Sequence, residues 1–277
     1  MKYKLIDMSW KEAEEAFSKS DTVIVPTGTL HAHGPTPIGI DTTAPERLAD
    51  EVGARTHILT LPVVAYGEDD KMARYPGSIG ISPNTLESYY VDICKSLRRN
   101  GVTKVIFING HGGNREALLR TGYRMREHGQ IIAVLEWWTI GVELGFFMKG
   151  TDFYEELKIA LAIHGRDKAD IRKETYKGEW GAHPCKNVFG SDIKTDIFYL
   201  SKFREGTVMI PMDAWDTDLT SSPYVRKEEL PELEVSGKEL IAKFADYMAD
   251  FAKAFQKVDV SKLIGEKEKR IRNKAKS

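Results

Sequence analysis

Short apolar runs alternate with longer amphipathic stretches along the first half of the chain. The runs Thr22–Val25, His57–Val64, Lys104–Asn109 and Ile131–Trp137 have the length and β-branched content of strands. Between them, Thr42–Val52, Pro83–Asn100 and Asn114–His128 predict helices. In the last of these Ala117, Leu118, Tyr123 and Met125 recur near helical spacing, and Asn114 reads as the N-cap. Strands alternating with helices of this length imply βαβ units, hence an α/β chain with a mainly parallel sheet covered on both faces. The stretches Val105–Ile108 and Ile131–Leu135 are continuously apolar, as strands buried on both faces should be.

Beyond Trp138 the periods weaken. Helices are expected near Phe153–Ile163, at Ile193–Lys202 and at Ser236–Gln256, the last started by Ser236 with Glu239 at capping-box spacing. The N-terminal MKYKLIDMSWKEAEEAF reads as a strand and an amphipathic helix rather than a signal peptide, because no uninterrupted apolar region follows the lysines. No repeat or linker interrupts the chain. We therefore expect one domain over residues 1–265 and a basic, frayed tail over 266–277.

Composition narrows the function classes. The 277 residues carry a formal net charge of -1, so no basic field argues for nucleic acid or an anionic membrane. No stretch approaches the length of a membrane span. Two cysteines, Cys94 and Cys185, are too few for a disulfide framework or a thiolate zinc site. A soluble, cytoplasmic protein is the expectation.

The chemistry gathers at strand exits. The first strand runs into His31-Ala32-His33, with Asp41 following on an irregular Gly- and Pro-rich loop. The third ends in Asn109-Gly110-His111-Gly112-Gly113-Asn114 and turns into a helix. That turn matches neither the dinucleotide fingerprint nor the P-loop spacing. In a parallel sheet ligands collect at the carboxyl ends of strands. Three imidazoles and a carboxylate meeting there are suited to Zn, Mn or Fe. His57, His128 and His164 read as ordinary polar side chains.

At these residues the chain resembles the creatininase (creatinine amidohydrolase) family. The carriers are GTLHAHGPTPIGID (Gly28 to Asp41), YPGSIGIS (Tyr75 to Ser82) and NGHGGN (Asn109 to Asn114), in the family's order and spacing. The resemblance implies a three-layer α/β/α sandwich, one or two divalent metals per subunit and a homo-oligomer, commonly a hexamer. It implies His33, Asp41 and His111 as metal ligands, with Asp41 bridging if two ions bind. His31 stands where the family usually has a ligating Glu, and imidazole can take that place. Thr36 replaces a histidine common in the family, and Gly113 replaces a further Glu ligand. Glu136 is then the first candidate for a replacement carboxylate, with Glu179 and Asp192 as others. In the second half, GEWGAHPCKNVFGSD aligns His183 with a proton-transfer histidine of the family.

These readings give a ring-opening hydrolase acting on a small cyclic carbonyl substrate by metal-hydroxide attack. His183, Glu136 or Glu179 would move the proton to the leaving atom, and an N–H of the Gly110–Asn114 turn would hold the oxyanion. Trp137, Trp138 and Trp180, with Gly112 and Asn114, are candidates to contact substrate. Both C–C cleavage of a cyclic diketone, as in cyclitol catabolism, and C–N hydrolysis of a cyclic amide suit this chemistry. An enolising isomerase or lyase and a non-catalytic metal-binding module are the rival classes.

Overall fold

The computed structural model describes residues 2–32, 36–70, 72–73, 75–147, 152–168, 192–194, 200–211 and 226–263. His33, Glu179, Trp180, His183, Cys185 and the basic tail lie outside these residues. The chain opens with helix α1 (Trp10–Lys19), started by a capping box between Ser9 and Glu12. The strand expected before it is reduced to a single bridge from Lys4 to Thr60. Then follow β1 (Thr22–Thr27), α2 (Ile40–Thr56), β2 (Leu59–Thr60), α3 (Pro83–Arg99), β3 (Lys104–Asn109), α4 (Arg115–Arg126), β4 (Ile131–Glu136) and α5 (Trp137–Glu143). The second half contributes α6 (Asp152–His164), β5 (Ile193–Lys194), β6 (Leu200–Phe203), β7 (Gly206–Met209) and α7 (Leu230–Gln256).

The main sheet is parallel, in the order β2-β1-β3-β4. Alternation of side chains along its strands divides the core in two. Ile24, Ile106 and Ile108 pack with α2, α6 and α7 on one face, through Leu48, Ile159, Phe244 and Met248. Val23, Val25, Val105 and Phe107 pack with α3 and α4 on the other, through Leu86, Tyr90, Cys94 and Leu118. This is the three-layer α/β/α arrangement. Pro26 is tolerated inside central β1 because it lies toward the exit, where its partner β2 has already ended at Thr60. No helix among the described residues is long and apolar enough to cross a membrane.

Four expectations need correction. The helix expected at Ile193–Lys202 is absent from its described residues, which form strand: β5, β6 and β7 make an antiparallel sheet. A two-residue turn drives the β6–β7 hairpin, with Arg204 at φ 52° and Gly206 pairing back to Phe203. Helix α7 starts at Leu230, so Ser236 is an interior residue and not a cap; Pro231 suits the first turn. The run His57–Val64 yields only two strand residues, because His57 is the left-handed cap of α2 and Pro62 withholds an N–H. Asn114 makes no side-chain cap bond, and a 3₁₀ turn over Gly112–Asn114 leads into α4 instead.

A candidate metal centre at the carboxyl edge of the sheet

The strand order places the site. From β1 the chain crosses to β2 on one side, and from β3 it crosses to β4 on the other. The crevice lies between the carboxyl ends of β1 and β3, where the order reverses. His31 leaves β1 and His111 leaves β3, so both enter this crevice. Asp41 arrives on the first turn of α2.

Two glycines let that turn sit deep in the crevice. A Cβ on Gly28 would lie 2.1 Å from the Asp41 carbonyl oxygen, and one on Gly110 would lie 1.9 Å from it. Pro45 withholds the N–H that this carbonyl would ordinarily accept within the helix. The carbonyl therefore faces the two glycines, and the Asp41 side chain is delivered between the histidines.

The Asp41 Oδ2 atom is the hub. It stands 2.8 Å from His31 Nε2 and 2.9 Å from His111 Nδ1. The two imidazoles meet edge to face, with centroids 4.6 Å apart. His31 and Asp41 are buried, while the His111 side chain is 13% exposed and forms the open side. Ligand atoms of His31, Asp41 and His111 all lie within 4.8 Å of one another. Two imidazole nitrogens and a carboxylate oxygen at this spacing fit a Zn or Mn ion.

His31 also reaches Asp69, with Nδ1 3.4 Å from Oδ1. Burial disfavours charge on His31, but Asp41 and Asp69 outweigh it and push its pKa up to about 10. A cation that takes His31 as ligand must displace this proton, so its uptake releases acid.

The other candidates divide. Trp138 lies at the site, its ring 4.0 Å from where a Gly112 Cβ would stand. Trp137 does not: it is fully buried, edge-on to Phe147 and Phe244, and belongs to the core. Asn114 is a clamp rather than a substrate contact. Its Oδ1 accepts from Glu68 N at 2.9 Å, and its Nδ2 donates to Gly28 O and Asn109 Oδ1. That one amide ties three strand-exit loops together. Glu136 is held by Arg115, whose Nε donates to both carboxylate oxygens, and by Asn109 and Thr139. An arginine-bound carboxylate is poorly placed to be a proton carrier or the replacement ligand. Asp192 stands exposed in the turn before β5. The segment Tyr75–Ser82 braces the histidine loop: Ile79 N donates to Leu30 O, and Ile81 N to Gly67 O.

Sequence reasoning passed over Glu68 and Asp69, which are 8% and 3% exposed. The signal was present: Glu68-Asp69-Asp70 follows the second strand at the same edge as the histidines.

Known proteins resemble the chain in sequence and in fold. The Creatininase family model, described as creatinine amidohydrolase, matches residues 6–183. The mycofactocin precursor peptide peptidase of Mycobacterium tuberculosis (strain CDC 1551 / Oshkosh) is 32% identical over 124 residues, 41% of this chain and 49% of that protein. The 3-dehydro-scyllo-inosose hydrolase of Thermotoga maritima is 29% identical over 107 residues, 38% of this chain and 34% of that one. The creatinine amidohydrolase of Pseudomonas putida is 28% identical over 115 residues, 39% and 44% respectively. The chain thus spans about half or less of the length of these relatives. Among solved structures, creatinine amidohydrolase superposes with a TM-score of 0.68 at 21% identity, covering 93% of this chain and 99% of that one. A structure named Creatininase Mn gives 0.67 at 19% identity, over 93% and 100%.

Proposed function

The chain belongs to the creatinine amidohydrolase (Creatininase) family, and on that premise we propose that it is a divalent-metal-dependent hydrolase opening a small cyclic carbonyl substrate. The observation that carries this reading is the convergence of His31, Asp41 and His111 on one point at the sheet's carboxyl edge. These three, with His33, would hold the ion. A cation bound there supplies a Lewis acid and a water acidic enough to act near neutral pH.

The chain's own residues do the rest. Asp41 orients both imidazoles through one oxygen. Trp138 offers a flat wall beside the Gly112–Asn114 turn. In that turn Asn114 N–H is already given to His111 O, so the N–H groups of Gly112 and Gly113 are the donors proposed for an oxyanion. His183 and Glu179 remain the candidates to carry a proton to the leaving atom.

The substrate is proposed at the level of its carbonyl. The relatives are named for a peptide, an inosose and creatinine. His31 in place of a Glu makes the immediate ligand set more positive by one charge. That favours a substrate whose product or leaving group is anionic, such as the enolate from a cyclic diketone. A cytoplasmic homo-oligomer is part of the same proposal, and light scattering on the purified protein tests the assembly.

Elemental analysis tests the metal. Near-stoichiometric Zn, Mn or Fe is expected, and His33→Ala combined with His111→Ala should lose it. No metal under metal-replete conditions would sink the reading. Turnover of an oxidised cyclitol in ¹⁸O-labelled water should place one labelled oxygen in the product; turnover without label would mean enolisation instead.

A further inference from the structure

We infer that the exit loop of β2 supplies the carboxylates this centre lacks, Glu68 as ligand of a second divalent cation and Asp69 as the acceptor that orients His31. The inference rests on the metal-centre reading above. Three imidazoles and a single carboxylate leave two divalent cations largely uncompensated, which is costly in a buried site. The sequence removes an acidic side chain at position 113 and another at position 31. The structure puts two acidic side chains beside those positions.

Glu68 fills the space that Gly113 leaves. A Cβ on Gly113 would lie 1.9 Å from Glu68 Oε2 and 2.6 Å from His111 Nε2. The carboxylate of Glu68 thus stands over Gly113, beside the Nε2 end of His111, whereas Asp41 meets the same ring at Nδ1. Its placement is fixed from both ends. Its backbone N–H donates to Asn114 Oδ1, and its Oε1 accepts from Asp70 N at 2.9 Å, which leaves Oε2 as the atom facing Gly113. Glu68 is 8% exposed, so this is not a solvated surface acid.

Asp69 is the independent observation. Its side chain is 1% exposed, and among the described residues neither oxygen has a hydrogen-bond partner. A buried carboxylate left so is expensive unless a charge faces it. Among the described residues it faces the His31 ring, 3.4 Å away through Nδ1, while Nε2 of the same ring points to Asp41. A ligating histidine commonly gives its other N–H to a carboxylate in this way. Asp69 is therefore a positioning residue, and Glu68 a ligand.

Metal content per subunit, measured by mass spectrometry after saturation with Zn²⁺ and removal of excess, tests the assignment. We expect close to two ions in the unaltered protein and close to one in Glu68→Gln. Asp69→Asn should keep both ions at saturation but weaken the first by about 10- to 100-fold, and should change the visible spectrum of the Co²⁺-loaded protein. A Glu68→Gln variant that melts normally and still holds two ions overturns the inference, as does an unaltered protein that saturates at one. An unaltered protein that takes up no ion at all overturns the metal-centre reading itself.

Discussion

At the scale of single residues, charge pairing is used away from the site as well as within it. Lys104 is buried at the head of β3, and its Nζ donates to Asp21 Oδ1 at 3.0 Å and to Gln256 O at 2.7 Å. Burial alone would raise the pKa of Asp21, but the bonds from Thr103 and Lys104 outweigh it and lower it. A carboxylate with a lowered folded pKa contributes stability above its unfolded pKa of about 3.9 and loses it as pH falls further. Asp21→Asn should therefore cost about 1 kcal/mol at pH 7, discounted because Asp21 is partly open to water. Urea titrations should show the gap to the unaltered protein closing below about pH 4. A gap that persists at pH 3 would mean the loss is one of packing or hydrogen bonding.

At the scale of elements, the seating of α2 decides whether Asp41 reaches the histidines. Gly110→Ala would place a methyl group inside contact distance of the Asp41 carbonyl oxygen. The expected result is a loss of several kcal/mol, of order 1–3 or more for overpacking, together with weakened Zn²⁺ uptake measured by calorimetry. Normal uptake would show that the turn can shift without moving the carboxylate. In the same core cluster as α2, the aromatic knot of Trp137, Phe146, Phe147 and Phe244 joins α5 to α7. Phe244 is fully buried, so Phe244→Ala should cost about 3–5 kcal/mol in chemical denaturation. A loss below about 1 kcal/mol would mean that the knot collapses onto the space.

The same scale shows what the sequence could reveal. The strands β1, β3 and β4 and the helices α3 and α4 were legible because each carries a long, unmixed period. His31, Asp41 and His111 were legible because strand exits in a parallel sheet share one edge. Glu68 and Asp69 were not, because β2 is only two residues long and its exit was hidden in a run read as one longer strand. Trp137 misled for a different reason. An aromatic next to a strand end can turn into the crevice or into the core, and only packing decides. Ile193–Lys202 failed because its hairpin depends on a left-handed Arg204, a residue without the usual turn signature.

At the scale of the whole molecule, the site belongs to no single segment. Residues 22–27 pair in register with residues 104–109, and this parallel ladder brings the two histidine loops together. Such a pairing closes a long stretch of chain before any contact rewards it, and it forms slowly. We therefore expect the binding site to be absent until this pairing is nearly complete. A metal ion should accordingly act as a lock on the finished protein and not as a nucleus. Stopped-flow experiments with saturating Zn²⁺ should show a refolding rate close to that in chelator and an unfolding rate that falls as the ion concentration rises. Faster refolding in Zn²⁺ would mean that the histidine loops meet before the strands do. On the expected outcome, a cell starved of the ion would still make the folded chain, but the chain would open and be degraded sooner.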